Sequence, residues 1–518
     1  MVKFMKSLTK LWLNYIPLSC SQNSCVVTSR MFWKKLEDKE KKNCIFLAIN
    51  TLSGAIDLFN SEEGKIINEC FLKKDFSFLP PVLFEFLLKR GYIFNSRDIE
   101  EFVFDTFLND TKKRNYLTDK ILGFFSLDTN CPMGCKYCFE KKNNEKFESS
   151  IMDNQSLSAA FEVLNMVRTL QNKKIDFVAG WGGEPLQEKN FEINKIFINY
   201  ACKYNMPISY FSNLAFIGNK LIDLLNEYKY NIKFIQTTID SLEFKHNKNR
   251  SFPNSFKITI SNIDKMLKLG LPVIVRTNVG ENNVDDIPQI ADFYEQKGWF
   301  NYPQFKGYLT HTYDRHHEFT QKFTLDENIA YSKYLDFRDR FPLVRKLQGI
   351  KFAPSLRNII DAFKIRENLD VTKNDFEVEI KPCITYCFSS NRTEYVFTGK
   401  PDCSIYCCAE CTGISKFRIG SYLESFSLDK TKNHMWGMLF NSMHNVRSID
   451  TLKPCKACKA STYCGGYCGL EAINDKGTLF DVYCKKAYKI IDDFLENESY
   501  RLYKRANLLL NNTENITL

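Results

Sequence analysis

The chain is predicted to be α/β: a partial (β/α)6 TIM-like barrel, with a small α+β domain before it and a cysteine-rich domain after it. Three observations point there. At 518 residues the chain exceeds a single core, and at about 100–200 residues per domain it suggests about three. From residue 116 onward, apolar β-branched runs alternate with helical patterns. The 19 cysteines are spread unevenly, crowding into 131–138 and 381–484. The expected division is 1–115 (N-terminal α+β), 116–345 (barrel), 346–380 (connector), 381–490 (cysteine-rich) and 491–518 (closing helix and tail).

Within the first segment, CIFLAINTL reads as a strand, SGAIDLFNSEEG as a turn region, and PPVLFEFLLKRG as a helix stopped by Gly91. Six strand-like runs follow, at 121–129, 175–180, 208–213, 232–240, 273–279 and 302–309. The clearest intervening helix places Phe256, Ile260, Ile263, Met266 and Leu267 on one face and ends at Gly270. Such alternation implies parallel strands joined by right-handed crossovers. Six units are fewer than the eight of a closed barrel, and in parallel barrels the chemistry sits at the C-terminal strand ends. The residues discussed below fall there.

Composition narrows the function. Hydrophobic residues at 44% and charged residues at 25% exclude global disorder and collagen-like repetition. No run approaches the roughly 20 apolar residues of a membrane span, and Lys6, Lys10, Asn14 and Pro17 interrupt the signal-like first twenty residues. A soluble, cytoplasmic protein without a membrane partner is expected. The net charge of +10 comes from 71 basic and 61 acidic residues. It would suit an acidic partner, but without a basic stripe interleaved with aromatics no nucleic-acid contact is expected. Clustered cysteines in a long reducing-compartment chain point to metal or redox chemistry rather than disulfide scaffolding.

The first cluster is Cys131-Pro-Met-Gly-Cys135-Lys-Tyr137-Cys138, directly after the first barrel strand. Three thiolates in one loop can hold three irons of a 4Fe–4S cube and leave the fourth without a protein ligand, which is what a catalyst needs. A structural zinc site usually takes four ligands, and neither a His nor a fourth Cys lies nearby.

This Cys-x3-Cys-x-aromatic-Cys loop resembles the signature of radical S-adenosylmethionine (SAM) enzymes. Gly182-Gly183-Glu184-Pro185 resembles the GGEP motif of that family, whose backbone and Glu engage the SAM amino group. Ser212-Asn213 stands where relatives carry Thr-Asn. Thr238-Ile239-Asp240 with His246 and Arg250 is similar to a further family stretch, and the resemblance implies that Thr238 and Arg250 bind the SAM carboxylate. Arg276 resembles another SAM-lining position, and Tyr137 is the loop aromatic. Trp181, Ser241 and Asn247 depart from the family pattern. The resemblance implies reductive cleavage of SAM and hydrogen abstraction by a 5′-deoxyadenosyl radical, with Cys131, Cys135 and Cys138 as catalytic cluster ligands.

The second cysteine field is Cys455-x2-Cys458-x5-Cys464-x3-Cys468-x15-Cys484, with Cys383, Cys387, Cys403, Cys407, Cys408 and Cys411 upstream. Its order resembles the SPASM extension of peptide- and protein-modifying radical SAM enzymes. That resemblance implies two auxiliary 4Fe–4S clusters, one on Cys383, Cys387, Cys408 and Cys468, the other on Cys455, Cys458, Cys464 and Cys484. The choice among Cys403, Cys407, Cys408 and Cys411 stays open. The other cysteines are expected to be packing residues or free thiols.

Asn50-Thr51-Leu52-Ser53-Gly54-Ala55 resembles the N-terminal, winged-helix-like region of maturases of ribosomally made peptides, which implies capture of a precursor leader as an added strand. The leading expectation is a radical SAM/SPASM maturase that modifies a residue in such a peptide and draws on an external flavodoxin- or ferredoxin-type electron donor. The alternatives are a maturase of a folded protein, of the sulfatase-type formylglycine-forming kind, and a zinc-stabilised module that binds peptide or nucleic acid without chemistry.

Overall fold

A computed structural model describes residues 5–12, 22, 24–38, 43–115, 120–140, 150–312, 324–348, 354–363, 382–386, 394–423, 447–478 and 480–511. The chain divides into two compact units, one built from residues 1–116, 352–386 and 447–518, the other from 117–351 and 387–446.

In the first unit, β1 (Lys6–Ser7), β3 (Met31–Asp38), β4 (Asn43–Asn50) and β5 (Ala55–Phe59) form an antiparallel sheet in the order β1-β5-β4-β3. β2 (Val26–Val27) pairs with β6 (Ile93–Phe94). The predicted strand is β4, but the expected turn region is only partly a turn. The chain reverses at 51–54, where Gly54 adopts φ 80°, and Ala55–Phe59 is then a strand with every residue buried. With both faces covered, the alternation that marks a half-exposed strand is lost. The one charge in it, Asp57, accepts from Arg90 Nε at 2.8 Å and Tyr92 Oη at 2.7 Å.

A capping box at Asn60 and Glu63 starts the helix Ser61–Lys73. The predicted Pro-led helix is Pro81–Lys89, with Gly91 beyond it at φ 72°. Arg97–Asn115 and Pro354–Ala362 are further helices. The expected closing helix is two, Ala487–Asn497 and Ser499–Asn511, the second lying against β3. One apolar core joins Leu52, Phe94, Phe104 and Phe107 to Ile384, Ile449, Leu452 and Cys455. Cys25, expected to be a packing residue or free thiol, is disulfide-bonded.

The second unit is built on β7 (Lys120–Asp128), β8 (Lys174–Gly183), β9 (Ile208–Phe211), β10 (Ile232–Thr238), β11 (Val273–Val279) and β12 (Phe305–His311). Neighbours in this series pair in parallel, as the strand–helix alternation implies. On the far side of β7 the sheet continues through β13 (Glu394–Phe397), also parallel, and then through β14 (Ser404–Tyr406) and β15 (Arg418–Ser421), both antiparallel. β13 was not foreseen: four residues arriving from more than 80 positions after β12 carry no local sign of their partner.

The two sheet faces are both aromatic. Phe125 stacks on Phe161 at 4.4 Å and on Phe397 at 5.1 Å, binding the helix Asn154–Leu170 and β13 to β7. On the opposite face Phe124, Phe177, Phe211 and Phe234 meet edge-on or tilted at 5.2–5.8 Å. Helix Ser255–Lys268 buries the predicted Phe256, Ile260, Ile263, Met266 and Leu267, and Gly270 follows at φ 81°. No helix among the described residues is long and apolar enough to cross a membrane.

Candidate functional site

The loop after β7 carries Cys131, Cys135 and Cys138, none of them in a disulfide. Cys131 lies within electrostatic range of Glu184, Cys135 and Cys138. Hydrogen bonds from three other strand ends hold this loop. Asn213 Nδ2, after β9, donates to Cys131 Sγ at 3.8 Å, and Arg250 Nη1 donates to Cys135 Sγ at 3.5 Å. Lys136 N–H reaches the Asn249 carbonyl at 3.0 Å, and Gly183 N–H donates to Glu140 Oε2 at 2.7 Å. Phe139 stacks on Trp181 at 6.3 Å.

The Gly182–Pro185 turn closes β8. Gly182 and Gly183 take φ 82° and 56°, and a Cβ on either would strike β7, at 2.2 Å from Ser126 Oγ and 2.4 Å from the Asp128 carbonyl. Packing against β7 therefore requires glycine at both positions. The turn aims Glu184 inward, 1% exposed. Its carboxylate accepts from the Ser212 hydroxyl, from Asn213 N–H at 2.6 Å and from Leu186 N–H at 3.0 Å. Burial pushes the Glu184 carboxyl up to about 7 against those hydrogen bonds. Pro185 also keeps its carbonyl in use, accepting from Asn194 Nδ2 at 2.9 Å.

Thr238 ends β10 in register with Arg276 on β11. Arg250 is buried and already engaged: its Nε stands 3.3 Å from Asp240 Oδ2, and its plane lies 5.6 Å from the Tyr137 ring. Asp240, which the sequence reading left without a role, is the hub. It accepts from the Tyr137 hydroxyl and from Asn278 Nδ2 at 3.1 Å, while Asn283 Nδ2 donates to its carbonyl at 2.6 Å. His246 accepts the Asp240 N–H at Nδ1, 3.3 Å away, and packs edge-on against Phe256. Burial, reinforced by the Arg250 charge, pulls His246 down to about 4. Glu140 was also missed. Its signal was its place directly after Cys138 and Phe139.

Several buried polar atoms in this ring have no hydrogen-bond partner: Arg250 Nη2, Arg276 Nε and Asn278 Oδ1. Buried polar groups left unpaired are costly, so these are the positions a polar ligand would satisfy. No group of three His, Cys, Asp or Glu side chains among the described residues is set to hold a single metal ion. A cube makes a different demand, since each thiolate meets a separate iron. Three cysteines outside any disulfide on one loop, with Asn213 and Arg250 donating to the sulfurs of Cys131 and Cys135, fit that group.

In the first unit Cys455, Cys458 and Cys464 lie in one stretch, and Cys455 and Cys458 both feel Cys484. Cys464 lies within range of Cys455, Cys383 and Cys458. A Cβ at Gly465 (φ 64°) would sit 2.7 Å from Cys383 Sγ, so the chain passes tightly between these thiols. Cys468 occupies the N-cap position of the helix Gly469–Lys476. Cys408, in the second unit, precedes the turn Ala409–Cys411, and Cys387 lies outside the described residues.

Residues 126–294 match the radical SAM superfamily model. Among solved structures, native anSMEcpe with bound AdoMet (SAM) aligns at TM-score 0.53 and 18% identity, over 75% of this chain and 99% of that one. The same enzyme with AdoMet and the Kp18Cys peptide aligns at TM-score 0.52 and 18% identity, over 75% and 99%. Streptococcus suis SuiB bound to the precursor peptide SuiA aligns at TM-score 0.52 and 13% identity, over 89% of this chain and 99% of that chain. No curated protein sequence matches the chain.

Proposed function

From the radical SAM domain that residues 126–294 form, we propose that this enzyme is a SPASM-type maturase that modifies a residue in a ribosomally made peptide. The observation that carries the reading is the join between its two motifs: the cysteine loop and the Gly182–Pro185 turn occupy adjacent strand ends and are tied by the Gly183 N–H to Glu140 bond. Cys131, Cys135 and Cys138 would hold the cluster. A SAM-loaded 4Fe–4S cluster supplies, when present, one-electron cleavage of SAM and a hydrogen-abstracting radical.

The chain's own residues do the remaining work. Glu184, fixed by Ser212 and Asn213, offers a carboxylate to the SAM ammonium. Arg276, Thr238 and the unpaired Nη2 of Arg250 offer donors to its carboxylate. The aromatic face of Phe124, Phe177, Phe211 and Trp181 excludes water from the space where a radical must survive. Cys455, Cys458, Cys464 and Cys484 are assigned to one auxiliary cluster, and Cys383, Cys387, Cys408 and Cys468 to the other.

A peptide substrate is supported by SuiB, whose solved complex holds its precursor peptide and whose likeness extends over most of this chain. In this reading the N-terminal sheet serves leader binding, a flavodoxin- or ferredoxin-type protein delivers electrons, and the reaction runs in the cytoplasm. Anaerobic reconstitution tests it. About twelve irons per chain are expected for three cubes, with dithionite-driven release of 5′-deoxyadenosine and a mass change in a small peptide encoded beside the enzyme. Cys135→Ala should abolish SAM cleavage and keep the auxiliary iron. Continued 5′-deoxyadenosine release by that variant rejects the assignment.

A further inference from the structure

The Asn50–Gly54 turn and the neighbouring Arg30 do something their sequence does not announce. Both grip the stretch that carries Cys455, Cys458 and Cys464. Arg30 is 5% exposed and sits in the short connection from β2 to β3. Its Nη1 donates to the Cys458 carbonyl at 3.0 Å and to Ser461 Oγ at 3.1 Å, and its Nη2 donates to the Lys456 carbonyl. The guanidinium carbon lies 3.5 Å from the centre of the Phe104 ring. Glu100, which accepts from Thr28 Oγ1 at 2.6 Å and Ser29 N–H at 2.8 Å, is the acidic group that most favours its charge.

Thr51 continues the clamp. Its hydroxyl donates to the Lys459 carbonyl, its carbonyl accepts from Thr462 Oγ1, and its N–H donates to the Arg30 carbonyl at 2.9 Å. Trp12 donates from Nε1 to the Leu52 carbonyl at 2.6 Å and meets Tyr463 edge-on at 6.2 Å. The backbone from Lys456 to Thr462 therefore takes its shape from partners more than 400 residues away. A fork that binds two carbonyls of one loop holds it in one conformation, which a flexible ammonium cannot do.

A buried cation carries a second consequence. Reduction adds an electron to a cluster, and a fixed positive charge nearby stabilises the reduced form; net charge and hydrogen bonding are among the factors that set cluster potentials. Arg30 and Cys458 lie within electrostatic range of each other. We infer that Arg30 is a positioning residue for the iron–sulfur cluster of Cys455, Cys458, Cys464 and Cys484, clamping its loop by the guanidinium fork and raising its reduction potential by its charge. The inference rests on the auxiliary-cluster reading above and adds a residue from outside the cysteine field.

The test uses the full chain, reconstituted anaerobically, with iron counted and the auxiliary signals followed by potentiometric electron paramagnetic resonance. In Arg30→Met one auxiliary midpoint should move to more negative potential, and a chelator should strip its iron several-fold faster than from wild type. Arg30→Lys should restore the midpoint, because the charge returns, but not the chelator resistance, because the fork does not. Wild-type midpoints and wild-type chelator resistance in Arg30→Met overturn the inference. Should Arg30→Met fail to fold, Arg30→Lys decides alone, and chelator resistance equal to wild type overturns the clamp. A wild-type protein with only about four irons would instead sink the auxiliary-cluster reading itself.

Discussion

Tyr137 donates its hydroxyl to the carboxylate of Asp240, 103 residues further along the chain. That bond ties the cysteine loop after β7 to the end of β10, and Arg250 adds a second tie by reaching both Asp240 and Cys135. The pair explains why Asp240, wholly buried, is tolerated there: three side chains share its charge.

Removing that carboxylate strands a buried cation. Asp240→Ala leaves Arg250 without its counter-charge, at a cost of about 3–5 kcal/mol. Tyr137→Phe leaves the carboxylate one donor short, at about 1–3 kcal/mol. Thermal denaturation of the metal-free protein should place Asp240→Ala well below Tyr137→Phe, and Tyr137→Phe below wild type. Equal melting for all three would show that this network does not hold the loop.

Glu184 should decide SAM affinity. Its carboxylate is pre-oriented by two N–H groups and a hydroxyl, and Glu184→Gln removes the charge while nearly keeping the shape. Anaerobic equilibrium dialysis should show SAM binding weakened by at least about tenfold, or about 1.4 kcal/mol, with the secondary structure intact by circular dichroism. Unchanged affinity would remove Glu184 from the site.

Gly183→Ala should be worse than its size suggests. The added methyl would lie 2.4 Å from the Asp128 carbonyl at a backbone φ of 56°, so both sterics and the left-handed conformation oppose it. A lower melting temperature and lost SAM binding should appear together, because the turn that aims Glu184 is the part displaced.

His246 supplies a pH dependence with a defined sign. Its folded pKa of about 4 lies below the ordinary 6.5, so the unfolded chain takes up the proton first as the pH falls. The stability His246 contributes is complete above about 6.5 and is lost as the pH drops toward about 4, up to about 3 kcal/mol. Urea unfolding at a series of pH values should show this slope in wild type and a shallower one in His246→Gln. Parallel slopes would mean that other groups carry the acid sensitivity.

How much of this could be read in advance follows from how locally each feature is written. The cysteine loop, the Gly182–Pro185 turn and the six parallel strands β7–β12 are short contiguous patterns, with spacing or apolar runs that a one-dimensional reading detects. β5 escaped because burial on both faces erased its alternation, and β13 because its identity lies in its pairing with Phe124 and Phe125 rather than in its own four residues.

The same divide runs through the site. The order of residues already specified which thiols share a loop and which family the parallel-sheet region resembles, since both depend on neighbours along the backbone. Folding alone assigned Asp240 to Tyr137, Glu140 to Gly183, and Arg30 to the Cys458 carbonyl. Each of those partnerships spans tens to hundreds of residues. A hydrogen bond reaches only about 3 Å, so no pattern along the chain can name its partner before the chain has closed on itself.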